Sequence, residues 1–279
     1  MTTKRTDALD DLKETSVTTP IIAVTNQKGG IGKTTTTLGL ATVWARQRRR
    51  VLVVDADPQH HATRTLGVVP TDQDLTLNDV LVATMAATMA GDPDEGGAAQ
   101  AVTPAAPEWD GVDVIPADRV LAAREADTTP GRETALRTAL AGTTDDYDVV
   151  LIDCPPNLGV LTVSALTAAT SVLVVTEPRV SSVDGVGELL STVRLVRRAT
   201  NPHLSVAGIV INRYRSDRRD RVVWRRTLHE AYPGLMIDHP LPEREVVAVA
   251  ATNEVPVPRA EARDWTAAIE AVALELLPH

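Results

Sequence analysis

The sequence predicts an α/β fold: one domain with a mostly parallel central sheet flanked by helices on both faces. Two observations carry that expectation. Short runs of Val, Ile and Leu recur along the chain without polar alternation, as strands buried on both faces require. Longer segments with helical spacing of apolar residues lie between them, and strands that alternate with helices build parallel sheets through crossover connections.

Taken in order, strands are expected at 21–24, 51–54, 112–115, 149–152, 172–175 and 206–211, with a further short apolar run at 235–237. Helices are expected at 34–47, 76–89, 132–141, 159–169, 183–198 and 219–231, and a last one carries Trp265, Ala268, Ile269, Val272 and Leu276 on one face. Residues 91–110, rich in Asp, Pro, Gly and Ala, read as an irregular surface insertion. Residues 1–20 are polar and mixed in charge, and read as a mobile tail ahead of one domain over 21–279.

Composition narrows the class. The 279 residues carry a net charge of −9, and no apolar run approaches the roughly 18 residues of a membrane span. The N-terminus lacks the apolar core of a secretion signal. A single cysteine, Cys154, excludes a disulfide framework and a cysteine-based metal cluster within one chain. A soluble, cytoplasmic protein is expected.

The run Lys28-Gly29-Gly30-Ile31-Gly32-Lys33-Thr34-Thr35 follows the first strand and opens the first helix. Glycines let successive N–H groups turn inward around a polyphosphate, and the helix from Lys33 aims its positive dipole end at the same charge. Lys33 is placed for the β- and γ-phosphates and the Thr34 hydroxyl for Mg²⁺. This strand–loop–helix order makes the chain a single-domain P-loop NTPase in expectation. The usual loop begins with a glycine where Gln27 stands, and a second lysine, Lys28, comes next. On the loop's outer rim Lys28 is better placed for a phosphate on a neighbouring subunit, which predicts a homodimer closed around nucleotide.

Two acidic strand ends complete the site. Residues just past the carboxyl ends of parallel strands face the ligand crevice. The second strand runs into Asp55-Ala56-Asp57-Pro58-Gln59, and Asp57, lying further out, is assigned to the attacking water. Asp55 is an outer partner of Mg²⁺ or, alternatively, a cap on the turn. The fourth strand ends in Asp153-Cys154-Pro155-Pro156, where Asp153 holds Mg²⁺ directly or through water. Cys154 reads as a small buried residue.

These three runs resemble the ParA/MinD group of deviant P-loop ATPases, and within it the small Soj-type ParA partition ATPases. The similarity extends from around residue 20 to the C-terminus. It implies a weak ATPase, using ATP and Mg²⁺, that dimerises around two ATP molecules and binds DNA without sequence preference. A ParB-type centromere-binding partner stimulates hydrolysis. The resemblance makes Lys28 the signature lysine, with Lys33 and Asp57 the other catalytic residues, and puts ATP on Lys28 through Thr35. It maps an adenine-contacting asparagine onto Asn212 and a backbone contact near Pro242. Two departures stand out. His60-His61 replaces the usual Gly-Asn and reads as a surface substitution, and Val247 stands where an arginine is usual.

Between Arg194 and Arg226, ten arginines stand against two aspartates, a net +8 in a chain of net −9. On a helix from Arg219, Trp224, Leu228 and Ala231 share the inward face, leaving Arg221 and Arg225 on an adjacent outward stripe. Arg194, Arg197, Arg198, Arg218, Arg221 and Arg225 are the expected contacts to DNA phosphates, which would associate the protein with the nucleoid. A solvated face with local ion pairs is the other reading of these charges. A MinD-like membrane ATPase would need a basic amphipathic last helix. Here Arg263 stands among Asp264, Glu270 and Glu275, so that helix is expected to dock on the core, with no membrane partner. Metal-cluster carriers need cysteines absent here, and a ligase would need a second catalytic set. A ParA-like ATPase that positions a protein cargo would use the same residues as one that moves a plasmid or chromosome.

Overall fold

The computed structural model describes residues 19–91 and 97–277. The expected tail, residues 1–18 of it, lies outside them. Seven strands form one sheet: β1 (Ile21–Thr25), β2 (Val51–Asp55), β3 (Thr103–Pro104), β4 (Val112–Ile115), β5 (Val149–Asp153), β6 (Ser171–Thr176) and β7 (Ser205–Ile211). Their order is β3-β4-β2-β5-β1-β6-β7, parallel throughout except for the short edge pair β3–β4. The α-helices are α1 (Lys33–Arg46), α2 (His61–Thr65), α3 (Leu77–Ala90), α4 (Ala135–Leu140), α5 (Val160–Ala168), α6 (Ser182–Ala199), α7 (Arg219–Ala231), α8 (Glu245–Thr252) and α9 (Arg263–Leu276).

Alternate strand residues feed two separate cores, which is why the strands read as unbroken apolar runs. Ala23, Leu52, Val54, Val150, Ile152 and Val174 pack beneath α3, α4, α5 and α6. Val24, Val53, Leu151 and Val175 pack beneath α1 and α9. Each fully buried Val or Leu contributes roughly 1.5–3 kcal/mol, so the central strands anchor the site that grows from their ends. The last helix docks as its apolar face requires, with Trp265, Ile269 and Val272 buried against α1. Gly39 permits this approach: a Cβ there would lie 2.6 Å from the Trp265 ring.

Four differences from the sequence reading have local causes. The helix expected over 132–141 begins only at Ala135, because Gly131 turns the chain at φ +87° and the Thr134 hydroxyl bonds back to its carbonyl. The run 235–237 forms a parallel bridge from Met236 to Ile209, not a strand of the sheet. The expected irregular insertion contains, among its described residues, β3 and two 3₁₀ turns, and buries Ala98, Ala101 and Trp109. Helix α8 has no counterpart among the expected elements, since its Val- and Ala-rich run carries little polar periodicity.

Candidate nucleotide site

The carboxyl ends of β1, β2, β5 and β6 meet at one edge, where β1 lies between β5 and β6. Asp55 and Asp153 are register partners across β2 and β5, and Val24 of β1 pairs with Asp153 on the other side. The loop after β1 is anchored by Asn26, whose side-chain amide donates to the Val175 carbonyl at 2.6 Å. Gly32 ends it in the left-handed region at φ +89°, and a Cβ there would collide with the Asn212 amide. Lys33 turns back into the loop, donating to the Lys28 carbonyl at 3.3 Å. Burial lowers the Lys33 pKa, and the nearby Asp153 and Asp57 charges oppose that shift.

Thr34 and Asp153 converge as the spacing predicts. The Thr34 hydroxyl donates to Asp153 Oδ2 at 2.7 Å, and Thr37, one helical turn on, donates to Oδ1 at 3.1 Å. Burial pushes the Asp153 carboxyl up to about 6, against the Thr34 hydrogen bond and the Lys33 charge. A hydroxyl and a carboxylate meeting beside a glycine loop form a hard-oxygen donor set that suits Mg²⁺. Asp55 is placed differently. Its Oδ2 accepts from the backbone and hydroxyl of Thr63, its Oδ1 from the Asp57 amide, and it is fully buried. Burial, reinforced by Asp153, raises its carboxyl to about 7. Its observed contacts are those of a turn anchor.

Two adjoining cavities open above these strand ends. One, of about 470 Å³, is lined by Gly30, Lys33, Thr34, Asp57, His61 and Arg64. The other, of about 620 Å³, is lined by Gly32, Thr35, Asn212, Arg213 and Pro242. The structure thus brings Asn212 and Pro242 together beside the loop, although the Asn212 amide already donates to the Ile31 carbonyl at 2.7 Å. The two histidines separate. His60 adopts φ +45° and turns its ring toward the Pro58 carbonyl, whereas His61 is exposed, as expected of a surface substitution, and borders the phosphate-side cavity.

Lys28 sits on the exposed rim, 3.9 Å from Glu177, whose side chain is only 3% exposed. Arg179 and Arg213 bind the same carboxylate at 2.6 and 3.1 Å. Sequence reasoning overlooks Glu177, as it does Thr37 and Thr63. The signal for it is an acid at the carboxyl end of β6, one residue beyond the strand, as Asp55 and Asp153 are acids that close β2 and β5.

The arginines do not form one patch. Helices α6 and α7 each follow a parallel strand and run away from the cavity edge. Arg194 therefore lies about 18 Å along α6 from its start, by the helical rise of 1.5 Å per residue, and Arg197 and Arg198 lie further. Arg218 caps the near end of α7 and is exposed. Arg221 and Arg225 are not an outward stripe. Arg221 donates to the Pro178 carbonyl at 3.2 Å and is 18% exposed; Arg225 lies over the Tyr214 ring, 5.3 Å from its centre, and donates to Asp238. Trp224 is half-buried rather than core, and Val222 and Val223 are exposed. The true inner face of α7 is shared by Leu228 and these two guanidinium stems, a use of long side chains that apolar periodicity overlooks.

The chain is similar to known proteins in sequence and in fold. An AAA domain family model matches residues 19–206. The sporulation initiation inhibitor protein Soj of Bacillus subtilis is 40% identical over 193 residues, covering 68% of this chain and 71% of Soj. The chromosome partitioning protein ParA of Caulobacter vibrioides is 40% identical over 205 residues, covering 72% of this chain and 71% of its own. A solved cobyrinic acid a,c-diamide synthase from Mycobacterium smegmatis, with bound ADP and magnesium, superposes with a TM-score of 0.71 at 35% identity, over 85% of this chain and 92% of that one.

Proposed function

This chain belongs to the AAA domain family and, within it, to the ParA/MinD group of ATPases, and from that premise we propose an ATP-dependent DNA-partition ATPase that works as a dimer. The observation that carries the reading is the Thr34–Asp153 contact of 2.7 Å beneath the glycine loop. A hydroxyl and a carboxylate that meet there offer the oxygen donors a metal-bound triphosphate would use, which supports the reading.

In this reading Lys28 to Thr35 hold the phosphates, and Asn212 and Pro242 border the base. Thr34 and Asp153 hold Mg²⁺, which when bound neutralises charge on the phosphoryl oxygens. Asp55 holds the following turn and, through Asp153, stands in the outer sphere. That turn presents Asp57 to the cavity, where its carboxylate orients the attacking water and accepts its proton. Lys33 neutralises the phosphates within the subunit, while Lys28 leaves Glu177 and reaches the nucleotide of the partner copy. The exposed Arg218 and Arg219, near the cavity edge, meet DNA phosphates without reading sequence. Arg194, Arg197 and Arg198 form a second basic group. A ParB-type protein stimulates hydrolysis and resets the cycle, with the ATP form held on the nucleoid rather than on a membrane.

DNA binding measured by fluorescence anisotropy, beside sedimentation in the same buffers, tests this. Dimers and DNA binding are expected with ATP and magnesium and are lost with ADP. Equal DNA affinity in both nucleotide states overturns the proposal.

A further inference from the structure

A further ion pair spans the mouth of the phosphate-side cavity. Arg64, on α2 just after the Asp57 turn, donates from Nη2 to Glu254 Oε1 at 2.6 Å. Glu254 comes from the opposite wall, just beyond α8, 190 residues away in sequence. Both side chains line the same 470 Å³ cavity as Lys33, Thr34 and Asp57. They are 56% and 38% exposed, so water screens their attraction and the pair separates readily. The backbone of Glu254 takes φ +58°, a region that side chains with a Cβ disfavour, so the chain holds this carboxylate in place at a conformational cost.

Competition decides what such a pair does. Arg64 is permanently charged and presents a planar fork of donors that matches phosphate as well as carboxylate. A terminal phosphoryl group brings more negative charge and more acceptor oxygens than one screened carboxylate. We propose that Arg64–Glu254 is a latch: Glu254 holds Arg64 at the cavity mouth in the empty protein, and the γ-phosphate of a bound nucleoside triphosphate takes Arg64 over. Arg64 is then a phosphate-binding residue supplied within the subunit, and Glu254 is its competitor. A diphosphate ends short of the mouth and leaves the latch shut, so the pair discriminates triphosphate from diphosphate. The inference rests on the triphosphate reading of the site.

The test is equilibrium binding of ATPγS and of ADP, each with magnesium, to the full chain and to three variants. Arg64→Gln is expected to weaken ATPγS about tenfold, as removing one charge-assisted hydrogen bond to phosphate does, and to leave ADP unchanged. Glu254→Gln is expected to strengthen ATPγS by about two- to fivefold, the worth of an exposed ion pair, again sparing ADP. The double variant Arg64→Glu with Glu254→Arg keeps a pair but puts a carboxylate on α2, and should weaken ATPγS at least as much as Arg64→Gln. Both positions are partly exposed, and thermal melting verifies that each variant is folded. An unchanged ATPγS-to-ADP ratio in Arg64→Gln overturns the phosphate role, and native-like ATPγS binding in Glu254→Gln overturns the latch. A native chain that binds neither nucleotide refutes the site itself, a separate result.

Discussion

Lys28 is the loosest of three cations around Glu177: its ammonium lies 3.9 Å from a carboxylate that Arg179 and Arg213 approach to 2.6 and 3.1 Å. The buried acid stays paired when the lysine leaves, so Lys28 can change partners without stranding a charge. Lys28→Ala is expected to abolish ATP-dependent dimerisation in sedimentation, yet alter stability by less than about 1 kcal/mol in denaturant melts, as exposed pairs do. Glu177→Ala should cost somewhat more, about 1 kcal/mol, because Arg179 and Arg213 lose a shared carboxylate, while water at these half-exposed guanidinium groups limits the loss. Native dimerisation by Lys28→Ala would refute the role in the partner's site.

Asp57 reaches the cavity because Asp55 anchors the turn behind it, accepting the Asp57 amide at 3.1 Å and both donors of Thr63. Asp57→Ala is expected to lower single-turnover hydrolysis by about 100-fold or more, the scale of removing one positioned proton acceptor. ATP binding should persist, so this variant should remain a dimer on DNA after the native protein has released it. Filter binding through one round of hydrolysis separates the two. Prompt release by the variant counts against Asp57.

How legible a residue is in the sequence depends on what it touches. The strands and the glycine loop are readable because burial on both faces of a parallel sheet leaves an unambiguous apolar run, as in Val149 to Ile152. Asp153 and Thr34 are readable from their places after a strand and within a loop. Thr37 and Glu177 are not, since each acts through a partner distant in sequence, Asp153 for Thr37 and Lys28 for Glu177; Thr63 is not, since only the fold of the intervening turn brings its hydroxyl onto Asp55, eight residues back. Arg221 and Arg225 mislead for a related reason. Spacing on a helix says which side chains share a face but not which polar group, here the Pro178 or Asp238 carbonyl, lies across from it.

The paired strand-end acids set a pH dependence. In the protein free of nucleotide and magnesium, burial raises Asp55 to about 7 and Asp153 to about 6, above the ordinary 3.8. The folded state then binds more protons than the unfolded chain between about pH 4 and pH 7, so these groups stabilise the fold most below that window and lose the contribution as pH rises through it. Calorimetric melting temperatures are expected to fall from pH 5 to pH 8, and Asp55→Asn should flatten the slope. Parallel pH profiles for native and variant proteins would exclude Asp55 as the source.

The basic surface can be divided by experiment because its arginines differ in what they already hold. Arg218 and Arg219 are exposed at the start of α7, whereas Arg221 and Arg225 are spent on the Pro178 carbonyl, the Tyr214 ring and Asp238. Arg218→Glu with Arg219→Glu is expected to leave the melting temperature nearly unchanged and to weaken DNA binding in the ATP state. The slope of log affinity against log salt should also shrink by about one for each phosphate that is no longer neutralised. Arg225→Ala should instead destabilise the fold by about 0.5–1 kcal/mol, the worth of its cation–π attraction to Tyr214, and reduce DNA binding only in proportion to unfolding. If Arg225→Ala removes DNA affinity at full stability while the charge reversals at 218 and 219 do not, the DNA surface lies on the flank of α7 that faces Tyr214 and not at its exposed start.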